Sequence, residues 1–389
     1  MTLGRESDEM KIAYVYDAVY PWVKGGAQKR VWEIARRMAD NHDVHIYGMQ
    51  YWDGPATIDR DGVTLHGVCK PTELYAGERR SIPEALYFTR HVTMPLLRES
   101  FDVVDCQSFP YFPCFSAKGH QLLRRSAFVI TWYEVWDDYW YEYLGYKGVF
   151  GKAVEQSTVK LSPTIIAISE FVRKNLATIG RKRGVRVVPN GIDFHGMDAV
   201  EPAGNDWDVL YVGRLSSHKN VDLLLDAVDD AETRLGRTLN CGILGDGPER
   251  ERLWAHADRR GLSNSVTFLG SVESDAEVIG NFKDARLFVL PSTREGFPNT
   301  ILEANACGVP SLVIDHEDNG GTAVVEDGVT GGIVDFSADA LGEGIATLLA
   351  DDAMRRRMSG NAREFACHHD WNRIVAEMET VYERAIARQ

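Results

Sequence analysis

No run in these 389 residues approaches the roughly 20 consecutive apolar residues that a membrane-spanning helix needs. The start, MTLGRESDEM, is polar and has no apolar core of the secretory type. Excess positive charge is missing too. The net charge is -14, which argues against a general nucleic-acid binder, because phosphate backbones select cationic faces. Cysteine is sparse. Cys69, Cys106, Cys114, Cys241, Cys307 and Cys367 form no close-spaced pairs of metal type. Several stand in apolar strand-like runs, so they read as buried free thiols in a reducing compartment, and the expected location is cytoplasmic. No His, Asp or Cys cluster has convincing ligand spacing. Two Asp-x-Asp triplets, Asp59 with Asp61 and Asp206 with Asp208, are the residual metal candidates, and in so acidic a chain such triplets arise by chance. GxGxxG is absent, which disfavours a dinucleotide dehydrogenase.

What is present is an ordinary soluble composition, 44% hydrophobic and 26% charged, in a chain long enough for two domains. KIAYVYD (Lys11 to Asp17) has strand length. A loop ending in Gly25 and Gly26 follows. Then comes a helix, QKRVWEIARRMAD, with Val31, Ile34, Ala35 and Met38 at helical spacing. Strand, glycine turn and helix open a Rossmann-like unit, in which backbone without Cβ can approach a phosphate. The paired glycine also reads as a simple tight turn. VHIYGM is the next strand, and Asp61-Gly62 predicts a hairpin turn. SIPEALYFTRHVTMPLLRES reads as a helix interrupted by proline. DVVDCQS, AFVITWYE and TIIAIS are further strands separated by helical stretches, and the alternation predicts a parallel, doubly wound sheet. Ser169 is expected to cap a helix.

Trp132 to Phe150 is dense in aromatics, with Lys147 late in it and Lys152 just beyond. It reads either as a loop packed over the sheet edge or as a platform for an acceptor or a lipid surface. The polar stretch EPAGNDWD (Glu201 to Asp208) reads as the linker. A second alternation follows. DVLYVGRL leads into a first turn with Arg214 and Lys219, two cations at a strand's carboxyl end beside a helix N-terminus. That combination suits a pyrophosphate, and it equally describes a solvated surface pair. Gly245 and Gly247 mark the next turn. A glycine-rich stretch up to Val334 turns the chain near the sheet's carboxyl edge. The last segment, WNRIVAEMETVYERAIARQ, has helical spacing and can run back across the first domain.

The most specific stretch is REGFPNTILEANACGVP (Arg294 to Pro310). Glu295 lies in a loop after the apolar strand LFVLP, and Glu303 lies inside the following helix. Pro298 is expected in the first helical turn, with Asn299 capping from its side chain. Backbone N–H groups at the helix mouth favour phosphate, and carboxylates accept hydrogen bonds from sugar hydroxyls. Such a site fits a nucleotide sugar. An acidic helix start stabilised by the macrodipole is the plainer alternative.

In order and spacing, these motifs resemble the retaining glycosyltransferase family 4. They are the Gly25-Gly26 loop, VVPNGID (Val187 to Asp193), VGRLSSHKN (Val212 to Asn220), GDGPER (Gly245 to Arg250), VTFLGSV (Val266 to Val272) and EGFPNTILE (Glu295 to Glu303). The resemblance implies an α/β chain of GT-B architecture: two facing Rossmann-like, doubly wound domains with a C-terminal helix crossing back to the first. The implied acceptor-side domain is 1–192 with helix 371–389, and the implied nucleotide-sugar-binding domain is 193–370. The implied chemistry is transfer of a hexose or pentose from a nucleotide sugar to a glycan or lipid-linked acceptor. Anomeric configuration would be retained, with no metal and no cofactor, the nucleotide sugar being a substrate. Nucleic acid is not an expected partner, and peripheral contact with the inner membrane face is.

By resemblance, Arg214 and Lys219 hold the donor pyrophosphate, and with Glu295, near the sugar ring, they form the catalytic set. Glu303 binds the ribose. Gly296, Phe297, Pro298, Asn299 and Thr300 lie beside the sugar, and Gly25, Gly26, Asn190 and Gly245 complete the donor contacts. Val129 to Trp136 resembles a family stretch that often carries a histidine before an acidic residue; here Tyr133 precedes Glu134. Two readings stay open. Tyr133 selects a donor sugar that differs there, such as a deoxy sugar or pentose, or Tyr133 points away and Glu134 makes the contact. A sugar-nucleotide epimerase and a nucleotide-sugar-binding protein without catalysis are the competing functions.

Overall fold

The strand Lys11–Val15 is flanked in parallel by Asp43–Gly48 on one side and Val103–Gln107 on the other. The computed structural model describes residues 9–76, 79–272 and 274–389, so most of the polar start lies outside the described residues. From that central strand the first sheet grows both ways. One side continues to Val63–Gly67 and Thr57–Arg60. The other continues through Ala127–Trp132 and Thr164–Ala167 to Val185–Val187. Neighbours are parallel except Thr57–Arg60 against Val63–Gly67. Asp61 and Gly62 join that pair at φ 52 and 78, the positive values a two-residue hairpin demands. Val103–Gln107 and Ala127–Trp132 are buried throughout, because crossover helices cover both faces of a parallel sheet.

The second sheet is wholly parallel, in the order Val266–Gly270, Cys241–Leu244, Trp207–Val212, Ala285–Leu290, Ser311–Ile314, Gly331–Val334. Its strand order reverses between Trp207–Val212 and Ala285–Leu290. The first sheet reverses between Lys11–Val15 and Val103–Gln107. Reversal points leave a crevice at the carboxyl ends of the strands, where ligands bind in open α/β sheets.

Contacts divide the chain at Pro189 and Trp371, with Asn190–Asp370 as the second unit. The chain therefore changes unit at Pro189 rather than after residue 192. Ile192 already donates its N–H to the His369 carbonyl at 2.9 Å, and Asn190 bonds Asn299. The stretch expected as linker lies inside the second unit. Asn205 is held there by Asp284, and Trp207 and Asp208 begin its first strand.

Trp371–Ile386 packs within the first unit, burying Ile374, Val375, Met378, Val381, Tyr382 and Ala385 at helical spacing. It is latched by a buried polar cluster. Asp105 accepts hydrogen bonds from Tyr382 Oη at 2.6 Å, Thr131 Oγ1 at 2.9 Å and Gln107 Nε2 at 3.2 Å. Arg30, fully buried, donates to the Val188 and Pro189 carbonyls. Burial outweighs these partners and pushes the Asp105 carboxyl up to about 6. A carboxyl raised above its unfolded value binds its proton more tightly when folded. Its contribution is full below about pH 4 and is lost as pH rises through about 6. Wild type should lose stability relative to Asp105→Asn across that window, by up to about 3 kcal/mol. Urea unfolding of both proteins from pH 4 to 7 checks this; parallel curves would contradict it.

The helix Ile82–Arg98 runs through Pro95 without interruption, capped by Ser81. Ser169 caps Glu170–Thr178 as expected. The aromatic stretch is irregular from Tyr133 to Asp138 and helical beyond. It forms helices Tyr139–Leu144 and Gly148–Thr158, joined by a single turn. A Cβ at Gly148 would lie 2.3 Å from the Trp140 carbonyl oxygen, and one at Gly151 would lie 2.2 Å from the Trp140 ring. These glycines allow the two helices to touch. Lys152 donates to Asp137 and Asp138 at 2.6 Å each, so it is no free cation for a lipid surface. The cysteines are free thiols, but Cys307 is half-buried and Cys367 is exposed, since the helix it ends turns Met358, Ala362 and Ala366 inward instead.

Candidate functional site

Beyond the strand Trp207–Val212 the chain turns over Gly213 and Arg214. The next loop lies directly on it: Leu215 N–H donates to the Asp246 carbonyl at 2.9 Å. A Cβ at Gly245 would lie 1.9 Å from the Gly213 oxygen, and Gly245 has φ 147. A Cβ at Gly247 would lie 2.2 Å from the Leu215 oxygen. The glycines of GDGPER thus let one carboxyl-end loop support the one that carries Arg214.

Ser217–Lys219 forms one 3-10 turn and Asn220 is left-handed at φ 47. Asn220 Nδ2 donates to the Pro291 carbonyl at 3.0 Å, and Thr293 N–H donates to the His218 carbonyl at 3.0 Å. These bonds staple the loops on either side of the reversal point. As a result Lys219 Nζ donates to the Glu295 carboxylate. The two side chains are only 17% and 12% exposed, so the charge pair is shielded from water.

The Glu295 loop is braced from its other side. Glu295 N–H donates to the Asp318 carbonyl at 3.1 Å, and its own carbonyl accepts from Gly320 N–H at 2.7 Å. A Cβ at Gly320 would lie 2.5 Å from the carbonyl oxygens of Glu295 and Gly296. Sequence reasoning noted glycines near this edge but did not connect Gly320 to Glu295; the paired Gly320-Gly321 after Asn319 was the available signal. His218 was missed as well, although it lies within VGRLSSHKN. Desolvation, then Lys219, Arg294 and Arg214, lower its imidazole pKa despite attraction from Glu295, although the residue itself is exposed. A neutral ring therefore stands among the cations near pH 7.

The helix after this loop is Asn299–Ala306, with Pro298 at the N-cap and no side-chain cap. Asn299 does not cap it. Its Oδ1 instead accepts from Asn190 Nδ2 at 2.6 Å, which joins two expected site residues 109 positions apart. The first-turn N–H groups of Asn299 and Thr300 lie at an end without a side-chain acceptor, a place suited to an anion. Glu303 is half-buried one turn further along, and Gly296, Phe297 and Thr300 are half-buried beside the mouth. Arg214, Lys219, Gly245, Glu295 and the helix mouth thus gather at the carboxyl edge of the second sheet.

In the first unit, Gly25 is the exposed N-cap of Gly26–Met38, again without a side-chain cap. A Cβ there would lie 2.3 Å from Gln28 Oε1. Gly25 and Gly26 follow the strand at that unit's own reversal point. Tyr133 points its hydroxyl inward, donating to Gln107 Oε1 at 2.6 Å. Burial, opposed by Arg30 and aided by Asp105, holds that phenol well above its ordinary range. Glu134 accepts from Trp136 Nε1 at 3.1 Å.

Asp208 accepts from Arg237 and Arg286, Asp206 pairs with Arg286, and Asp61 faces Arg60. Among the described residues no group of three or more His, Cys, Asp or Glu is placed to hold an ion. No helix among them is long and apolar enough to cross a membrane.

Residues 24–195 match the family model described as Glycosyltransferase Family 4, and residues 197–365 match that of Glycosyl transferases group 1. The chain is 35% identical over 155 residues to alpha-D-kanosaminyltransferase of Streptomyces kanamyceticus, covering 40% of this chain and 39% of that one. It spans about half the length of the curated relatives it matches. In fold it is similar to sucrose-phosphate synthase of Thermosynechococcus elongatus, at TM-score 0.79 and 20% identity over 98% of this chain and 100% of that one. It is also similar to Anabaena HepE in complex with UDP and glucose, at TM-score 0.74 and 19% identity over 96% and 100%. The fold is accordingly the two-domain α/β GT-B class. With the two models following one another along nearly the whole sequence, the chain belongs to glycosyltransferase family 4.

Proposed function

We propose that this protein transfers a hexose or pentose from a nucleotide-sugar donor to a glycan or lipid-linked acceptor, with retained anomeric configuration and without a metal. The observation that carries this reading is the shielded Lys219–Glu295 pair at the reversal point, with Arg214 on the same loop as Lys219 and a helix mouth beside it. As the glycosidic bond breaks, negative charge grows on the diphosphate. Fixed cations and backbone N–H groups that need no reorganisation favour that state. Arg214 and Lys219 take the diphosphate, Glu303 the ribose hydroxyls and Glu295 the sugar, while the helix mouth serves a phosphate oxygen. The kanosaminyltransferase likeness supports sugar transfer, and the UDP and glucose held by HepE support a nucleotide-sugar donor. The cytoplasm, with contact at the inner membrane face, is the proposed location.

Labelled nucleotide sugars incubated in EDTA, with and without acceptor extract, test the proposal. Label moving only when extract is present is the expected result. Epimerised donor without extract would indicate an isomerase, binding without turnover would indicate a non-catalytic protein, and loss of transfer restored by added metal would remove the metal-free mechanism.

The Tyr133 hydroxyl is committed to Gln107, which supports the reading in which this residue does not choose the sugar. A screen of hexose, pentose and deoxy-sugar donors should give the same order for wild type and Tyr133→His. A changed first choice would return donor selection to Tyr133.

A further inference from the structure

A cavity of about 290 Å³ opens at the carboxyl edge of the first sheet. Its walls come from Phe109, Tyr111 and Phe112, just beyond the strand at the reversal point, and from Trp140, Tyr143 and Phe150 of the aromatic helices. The polar tips of two of these rings are turned away. Tyr111 Oη donates to Glu155 at 2.8 Å, and Trp140 Nε1 donates to the same carboxylate at 3.2 Å. Those rings therefore offer the cavity carbon alone. Ile82 and Phe150, 46% and 71% exposed, stand at its rim. One charged side chain lines it, Lys147, which is exposed and makes no ion pair among the described residues. The volume is at the small end for ligand sites, and the position is where an open parallel sheet binds ligands.

We propose that this cavity holds the hydrocarbon part of the sugar acceptor, with an anionic group of that acceptor beside Lys147. This deepens the glycosyltransferase reading and rests on it for the word acceptor. The chemistry selected is an amphiphile: an apolar chain for the carbon walls and a phosphate or carboxylate for the lysine. A sugar alone would leave its hydroxyls unpaired against these rings.

Direct binding of n-alkyl phosphates and n-alkyl glucosides, from butyl to decyl and below their micelle concentrations, tests it by calorimetry on the full chain. Affinity should climb roughly threefold to fourfold per added methylene until the cavity is full. Alkyl phosphates should bind more tightly than the matching glucosides, and Lys147→Ala should remove that preference. Ile82→Asp and Phe150→Asp, both at exposed positions, should each flatten the chain-length dependence while nucleoside diphosphate binding stays unchanged. No chain-length dependence, or full dependence in both variants, overturns the site. These arms need no turnover, so they stand even if sugar transfer fails. Where transfer is observed, decyl phosphate should compete with acceptor extract and not with the donor; competition with the donor overturns the acceptor assignment.

Discussion

Lys219→Ala is expected to lower kcat/KM for sugar transfer by roughly 100- to 1,000-fold, the usual cost of losing one preorganised stabiliser of transition-state charge. Two effects combine. The ammonium no longer offsets charge growing on the departing diphosphate. Glu295 also loses its partner while its side chain remains only 12% exposed, so a carboxylate is left poorly solvated beside an anionic substrate. The second effect can be separated. Adding Glu295→Gln to Lys219→Ala removes the stranded charge, so the double variant should lose less than the two single losses multiplied together. Steady-state kinetics of all four proteins provides the cycle. A loss below about tenfold in Lys219→Ala would show that this lysine does not serve the transition state.

Glu155→Ala is expected to be the most damaging substitution for stability outside the apolar cores. Its carboxylate is fully buried and accepts four hydrogen bonds: from Tyr111 Oη, Trp136 N–H, Asp137 N–H and Trp140 Nε1, at 2.8, 2.9, 2.9 and 3.2 Å. Burial holds its pKa above the ordinary carboxylate value even against these donors. Removal leaves four donors without an acceptor in a site too crowded to solvate them well. The expected cost is about 3–5 kcal/mol. Glu155→Gln keeps one carbonyl acceptor and should cost less. Unfolding followed by tryptophan fluorescence reads both; a cost under about 1 kcal/mol for Glu155→Ala would mean that water replaces the carboxylate.

Apolar strand runs alternating with helical periodicity were enough to read both parallel sheets, because fully covered sheets leave few polar residues in their strands. The cations after Trp207–Val212 and the glutamates after Ala285–Leu290 were legible as motifs. Their union was not: Lys219 and Glu295 are 76 positions apart, and the bonds that join their loops run through backbone carbonyls of any residue type. Asn299 was misread for a related reason. Propensity places such a side chain at a cap, but Asn190 offers its amide from a distant turn, and Pro298 supplies the extended N-cap backbone. In the aromatic stretch, the reading as a loop took no account of Gly148 and Gly151. Their purpose is close approach to Trp140, which no local pattern encodes.

The central claim is that the loops at the second unit's reversal point bind the diphosphate of a nucleotide sugar. Calorimetric titration of a panel of nucleoside diphosphates into wild type and Arg214→Ala tests it most directly. At least one diphosphate should bind wild type, and the same titration into Arg214→Ala should be weaker by about 1.5–3 kcal/mol, roughly 10- to 100-fold. Equal affinity in the two proteins, or no binding of any nucleoside diphosphate to wild type, would contradict the account.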